Sequence, residues 1–198
     1  LTTDVYIVIH IICCLEVVCL SAKSKTLIRS IRLTKELDDI LQKDARAKGI
    51  SINSLIGIIM TKYIEMDRYN ERYDTITLKQ ESFSSIIQGV EDDKLIQIAK
   101  EIGALIPKQF LLFWFKRADL ETYLRYLSLV CRYNGFGEYE INIDESKSNY
   151  TITIIHNMGQ KWSNFLKNWL EYGMETTIGV MPRIQISKNT VVTKFNIP

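Results

Sequence analysis

The chain is poor in residues that bend, cross-link or coordinate. Its 198 residues hold only 9 Gly, 3 Pro, 4 Cys and 2 His. So little Gly and Pro excludes a collagen-like or low-complexity chain. The few cysteines are too sparse for a disulfide scaffold. The two histidines, His10 and His156, lie far apart, which leaves no histidine-rich nickel or zinc site within one chain. A phosphate loop and a dinucleotide fingerprint are also lacking. Gly135-Phe136-Gly137 has no third glycine and follows a helical pattern. A surplus of one charge is missing too: 25 Lys and Arg against 23 Asp and Glu give a formal +2. That balance argues against a wholly basic nucleic-acid coat protein, but it leaves room for a small basic module on a larger acidic one. What is present is apolar: 46% hydrophobic residues exclude intrinsic disorder. The length fits one or two domains with a real core.

Residues 1–25 read as an apolar extension. Its run from Val5 to Leu20 falls short of the roughly 20 residues that span a bilayer. His10 and Glu16 interrupt it, and no basic residue precedes it as in a secretory signal. Three readings stay open: a start-site artefact or dispensable tail, a buried extra strand or helix, and a membrane or export segment. Cys13, Cys14 and Cys19 lie in this run. With no polar neighbours to orient them as metal ligands, they read as inert thiols.

Residues 26–66 carry the strongest pattern. Thr26 to Leu33 alternates in part, with Leu27, Ile31 and Leu33 on one face and Ile28, Ser30 and Arg32 on the other. Arg29 shares the apolar parity and is expected to reach around the edge. Thr34 is placed to cap a helix bearing Leu37, Ile40, Leu41 and Ala45 at helical spacing. Gly49 sits where a helix end needs the left-handed region, and Ser51 is placed to cap a second helix. That helix carries Ile52, Leu55, Ile56, Ile59, Met60, Tyr63 and Ile64, an apolar surface wider than one contact face. One strand and two short helices cannot bury this alone, whereas two copies can pair their strands and pack their second helices together.

The order strand, capped helix, Gly and Ser-capped helix resembles the ribbon-helix-helix (MetJ/Arc/CopG-like) DNA-binding module. The resemblance rests on I-R-S-I-R-L-T at Ile28–Thr34, K-E-L-D-D-I-L at Lys35–Leu41, K-G-I-S at Lys48–Ser51 and the apolar second helix. It implies an intertwined β-α-α dimer with an antiparallel ribbon in the major groove of double-stranded DNA. By strand parity the base contacts would be Ile28, Ser30 and Arg32. Arg can bond guanine O6 and N7, Ser can serve either partner, and Ile offers apolar contact only. The resemblance places phosphate contacts at Arg29, Ser51 and Asn53, which position the protein without reading sequence. Charge agrees. Between Lys23 and Asn53 there are 8 basic and 4 acidic residues, a net +4, so the rest of the chain carries −2.

Residues 70–198 read as an accessory sensor or oligomerisation region. Tyr69 to Tyr73 reads as a linker or frayed helix end. Asp74 to Lys79 has a strand pattern. A helix with Phe83, Ile86, Ile87 and Val90 follows, then one with Leu95, Ile98, Ala99, Ile102 and Leu105 that should stop near Pro107. The run from Phe110 to Phe115 is ambiguous. Asp119 is placed to cap a helix carrying Leu120, Tyr123, Leu124, Leu127, Val130 and Cys131 inward, ended by Asn134-Gly135. From Glu138 the pattern becomes a β-β-α-β-β order, an antiparallel sheet with one helix on a face. His156 to Tyr172 is also similar to segments of archaeal ribbon-helix-helix proteins whose C-terminal domain has no clear role. His156, Cys131, Trp162 and Trp169 read as packed residues. Asp144 and Glu145 read as a turn pair without the cleft of acid–base catalysis.

The expectation is therefore α+β: a ribbon-helix-helix module, a helical region and an antiparallel β-β-α-β-β domain. The expected protein is a dimeric, cytoplasmic, sequence-specific transcriptional regulator, with no enzyme activity, metal or cofactor. An unidentified small-molecule or protein effector is expected at the C-terminal region. An antitoxin-like partner-binding protein and a membrane-tethered or exported protein are the alternatives.

Overall fold

The computed structural model describes residues 30–72, 75–146 and 148–197. The expected extension over 1–25 lies outside them, as do Ile28 and Arg29. The chain divides into two compact units, residues 1–58 and 59–198.

In the first unit, Ser30 to Leu33 form no strand ladder among the described residues. Helix α1 (Lys35–Ala47) begins at Thr34, whose hydroxyl accepts from the Leu37 amide at 3.4 Å. Gly49, at φ +64, makes the left-handed turn that a side chain would resist. Helix α2 (Ile52–Lys62) then starts at Ser51, whose Oγ accepts from the Ser54 amide at 3.0 Å. Both caps and the turn stand where the sequence places them.

Beyond Lys62 the rod widens into a π-helical turn over Tyr63–Asp67 and a last α turn, α3 (Arg68–Asn70). Residues expected as a linker therefore begin inside helix. Met66 is buried here, and Glu65 accepts from Tyr133 Oη at 2.7 Å with Arg132 at 3.6 Å.

The second unit carries the larger core. Thr75 to Lys79, expected with Asp74 as a strand, form no strand among the described residues and lead into α4 (Gln80–Gly89). Helix α5 (Asp92–Phe115) absorbs the ambiguous run at Phe110–Phe115 and does not stop at Pro107. Proline there removes one helix bond, the one to the Gly103 carbonyl, and the surrounding burial sustains the helix across the gap. The inward residues are Leu95, Ala99, Gly103, Pro107, Leu111 and Trp114, while Ile102 and Leu105, expected inside, are exposed. Helix α6 (Leu120–Asn134) has a capping box, Asp119 and Thr122 each bonding the other's backbone amide.

The sheet follows the expected order. Strands β1 (Glu138–Ile143), β2 (Asn149–Ile155), β3 (Arg183–Ile186) and β4 (Thr190–Asn196) align antiparallel as β1-β2-β4-β3, with α7 (Gln160–Ile178) between β2 and β3. The β1–β2 turn is built on Asp144, which accepts from the Ser148 amide at 2.8 Å and the Asn149 amide at 2.9 Å. Those bonds to Asn149 hold its carboxyl well below the usual range. One face of the sheet, with Ile152, Ile154, Val191 and Phe195 buried, is covered by α7. Helix α7 also packs along α5, so it is buried nearly all round: Trp162, Leu166, Trp169, Leu170 and Met174 are each at most 2% exposed. Lys161 ties this helix to α4, its ammonium donating to the carbonyls of Gln88 at 3.0 Å and Val90 at 2.5 Å.

Candidate nucleic-acid interface

Two exposed elements hold the sequence-derived contact residues. The first is the segment entering α1, where Ser30 and Arg32 are exposed. Ile31 and Leu33, the opposite parity, are exposed too, so the segment's apolar side is uncovered among the described residues. The second is the start of α2. Ser51 Oγ satisfies the Ser54 amide, and the Ser54 hydroxyl lies 2.8 Å from it. The amides of Ile52 and Asn53 precede that cap and take no part in it. The first turn of α2 contains no acidic residue, whereas α1 opens with Glu36 and Asp38. A helix N-terminus with free amides and no local carboxylate favours an anion. Ser54 was not among the expected residues; the S-x-x-S spacing, which stacks two hydroxyls one turn apart, is the signal that would have found it.

The apolar residues of these helices are largely uncovered. Among the described residues of the first unit, only Ala45 and Leu55 are buried hydrophobics. Leu37, Ile40 at 57%, Ile58, Ile59, Met60 at 59%, Tyr63 and Ile64 are exposed. Leaving so many branched side chains in water forfeits roughly 2 kcal/mol each relative to burial.

The second unit offers chemistry of a different kind. His156 and Ser163 are buried with Nε2 and Oγ 2.9 Å apart. The Met158 amide donates to Nδ1 at 3.3 Å, so the ring proton sits on Nε2 and is given to the serine. Ser163 in turn donates to the Lys188 carbonyl at 3.2 Å. A general base would need Nε2 as acceptor, so this pair is wired as a structural link between α7 and the β3–β4 turn. Cys131 lines a cleft of about 360 Å³ with His156, Gln80 and Glu138. Burial pushes its thiol up to about 12, far from a reactive thiolate. Among the described residues no group of three or more His, Cys, Asp or Glu could hold a metal ion, and no helix is long and apolar enough to cross a membrane.

Burial lowers the His156 pKa below the ordinary histidine value of about 6.5. As pH falls, the unfolded chain takes up this proton before the folded one does. Stability is then full above about pH 6.5 and declines as pH drops through that value toward the folded-state pKa. Melting temperatures at pH 8 and pH 5.5 should differ, and His156→Gln should flatten that part of the difference. An unchanged slope in the variant would remove His156 as its source.

No family model, curated protein or solved structure matches this chain.

Proposed function

We propose that the chain is a dimeric, sequence-specific DNA-binding regulator, in which residues 26–66 form a ribbon-helix-helix module and residues 70–198 an accessory region. The observation that carries this reading is the uncovered apolar surface of two well-capped helices. Thr34, Gly49 and Ser51 fix α1 and α2 by local rules, yet Leu37, Ile40, Ile58, Met60 and Ile64 remain exposed. Local structure that is well specified but has little core of its own is what a module completed by a second copy leaves in one chain. Two copies would pair residues 26–33 into a ribbon, bury Leu27, Ile31 and Leu33 beneath it and turn Ile28, Ser30 and Arg32 toward base edges. Ser51 and Asn53 would then hold a phosphate at the acid-free start of α2, with Arg29 at the ribbon edge. The net +4 between Lys23 and Asn53 supports an anionic partner.

Arg32→Ala is the direct test. Selection from genomic fragments should first yield a preferred site for the wild type. The variant should lose about 1–3 kcal/mol there while keeping its affinity for unrelated DNA. Ser51→Ala should weaken binding to every sequence alike. Failure of the wild type to bind any duplex at low salt would overturn the reading.

A further inference from the structure

Residues Thr75 to Lys79 have a strand-like sequence but lie in no strand among the described residues. The sequence T-I-T-L-K alternates β-formers, and the chain runs through it outside any helix or strand. Ile76, Thr77 and Leu78 make no backbone–backbone hydrogen bond among the described residues. The two faces are sorted all the same. Thr75 and Thr77 line a polar cleft of about 430 Å³ with Asp67, Asn70 and Glu71. Ile76 is 84% exposed and Leu78 51%, on the opposite parity. A segment with strong strand preference, a sorted polar face and an uncovered apolar face conflicts with its surroundings unless something pairs with it.

We propose that this segment forms an antiparallel two-stranded ribbon with the same segment of a second copy. The sequence is self-complementary about Thr77. A two-fold axis there sets Ile76 against Leu78, Thr77 against Thr77, and Thr75 against Lys79. Every directly opposed pair is then apolar–apolar, hydroxyl–hydroxyl or hydroxyl–ammonium, with no like charges facing each other. The second copy is favoured over another occupant by continuity. The exposed apolar residues of α2 and the turn after it end at Ile64, and this segment opens a short way down the same chain. The inference rests on the dimer proposed above. Once two copies are joined there, the tethered segments meet at an effective concentration of order millimolar, which offsets the weakness of a lone short ribbon.

Amide hydrogen exchange on the full chain, measured across protein concentrations alongside sedimentation, tests it. Antiparallel pairing protects alternate amides; with Thr77 facing Thr77 as the hydrogen-bonded pair, its amide should exchange at least about 100-fold slower in the dimer and lose that protection on dilution. Thr77→Pro, allowed by an extended Ile76, should weaken the dimer about tenfold without changing helix content. A stable dimer with freely exchanging amides at 76–78 would overturn the ribbon and leave the α2 dimer standing. Protection that persists in the monomer would mean pairing within the chain and would also overturn it. A monomer at all concentrations with free amides would remove both proposals. An unchanged dimer constant in Thr77→Pro would count against the ribbon alone.

Discussion

Gly103→Leu should lower the melting temperature of this chain by about 10 °C, the result of a destabilisation of about 3 kcal/mol or more in a domain of this size. The reason is the crossing of α5 and α7. A Cβ on Gly103 would lie 2.6 Å from the Trp169 carbonyl oxygen and 3.0 Å from its Cα. These are backbone atoms of a helix buried nearly all round, so they cannot swing aside as a flexible side chain would. The partner position is equally tight: a Cβ on Gly173 would stand 2.8 Å from Tyr123 Oη and 3.2 Å from the Gly103 carbonyl oxygen. That carbonyl is the one Pro107 leaves without its helix donor, and the approach of a glycine Cα suits it as a weak C–H donor. Gly89→Ala is the control, because nothing lies within 4 Å of the added carbon. Calorimetry of both variants checks the contrast. A Gly103→Leu protein melting within a degree or two of wild type would contradict the packing described.

On the dimeric, DNA-binding reading proposed above, Ile59→Asp should leave the chain monomeric at micromolar concentration and abolish site-specific DNA binding with it. Ile59 is exposed on α2 beside Met60, Tyr63 and Ile64. In a two-fold interface each substitution is felt twice. Losing about 2 kcal/mol of apolar burial at each of two sites weakens the dimer about a thousandfold, before the cost of burying a carboxylate is added. Sedimentation and DNA titration of the same preparation read the two effects together. The core of the second unit, of which Ile59 is the first residue, should be unaffected: its melting transition should stay within about 1 °C, because this side chain is half in water. Retained dimerisation would rule out α2 as the contact.

The parts of the fold governed by neighbouring residues were legible in the sequence. Thr34, Gly49, Ser51 and Asp119 act through contacts three or four residues away, and alternation from Glu138 onward places the sheet. The misread parts depend on distant partners. Helix α5 buries Gly103 and Pro107 because α7 comes too close for anything larger, so Ile102 and Leu105 are turned outward, while Leu95 and Ala99 of the same apolar set are buried and Ile98 packs against the core. The strand expected over Asp74 to Lys79 does not form over Thr75 to Lys79, where no partner among the described residues pairs with it. Among the candidate contacts, Ser51 could be placed because capping is local. Ser30 and Arg32 were placed only by parity, Asn53 only through the family resemblance, and Ile28 and Arg29 lie outside the described residues.

The π-helical turn at Tyr63–Asp67 gives this rod an unusual sensitivity to length. Leading into it, the exposed residues Ile59, Met60 and, at its second position, Ile64 follow one phase of the helix. Just beyond, Met66 is buried and Glu65 is held by Tyr133 and Arg132. The wide turn reconciles these two phases in one continuous rod. Adding or deleting a single residue there would rotate one set against the other by about 100°. Substitutions along the rod cost only the contact they touch, whereas an insertion or deletion leaves every side chain present and misaligns them all. In such a segment the residue count is the constrained quantity, more than the identity of most of its residues.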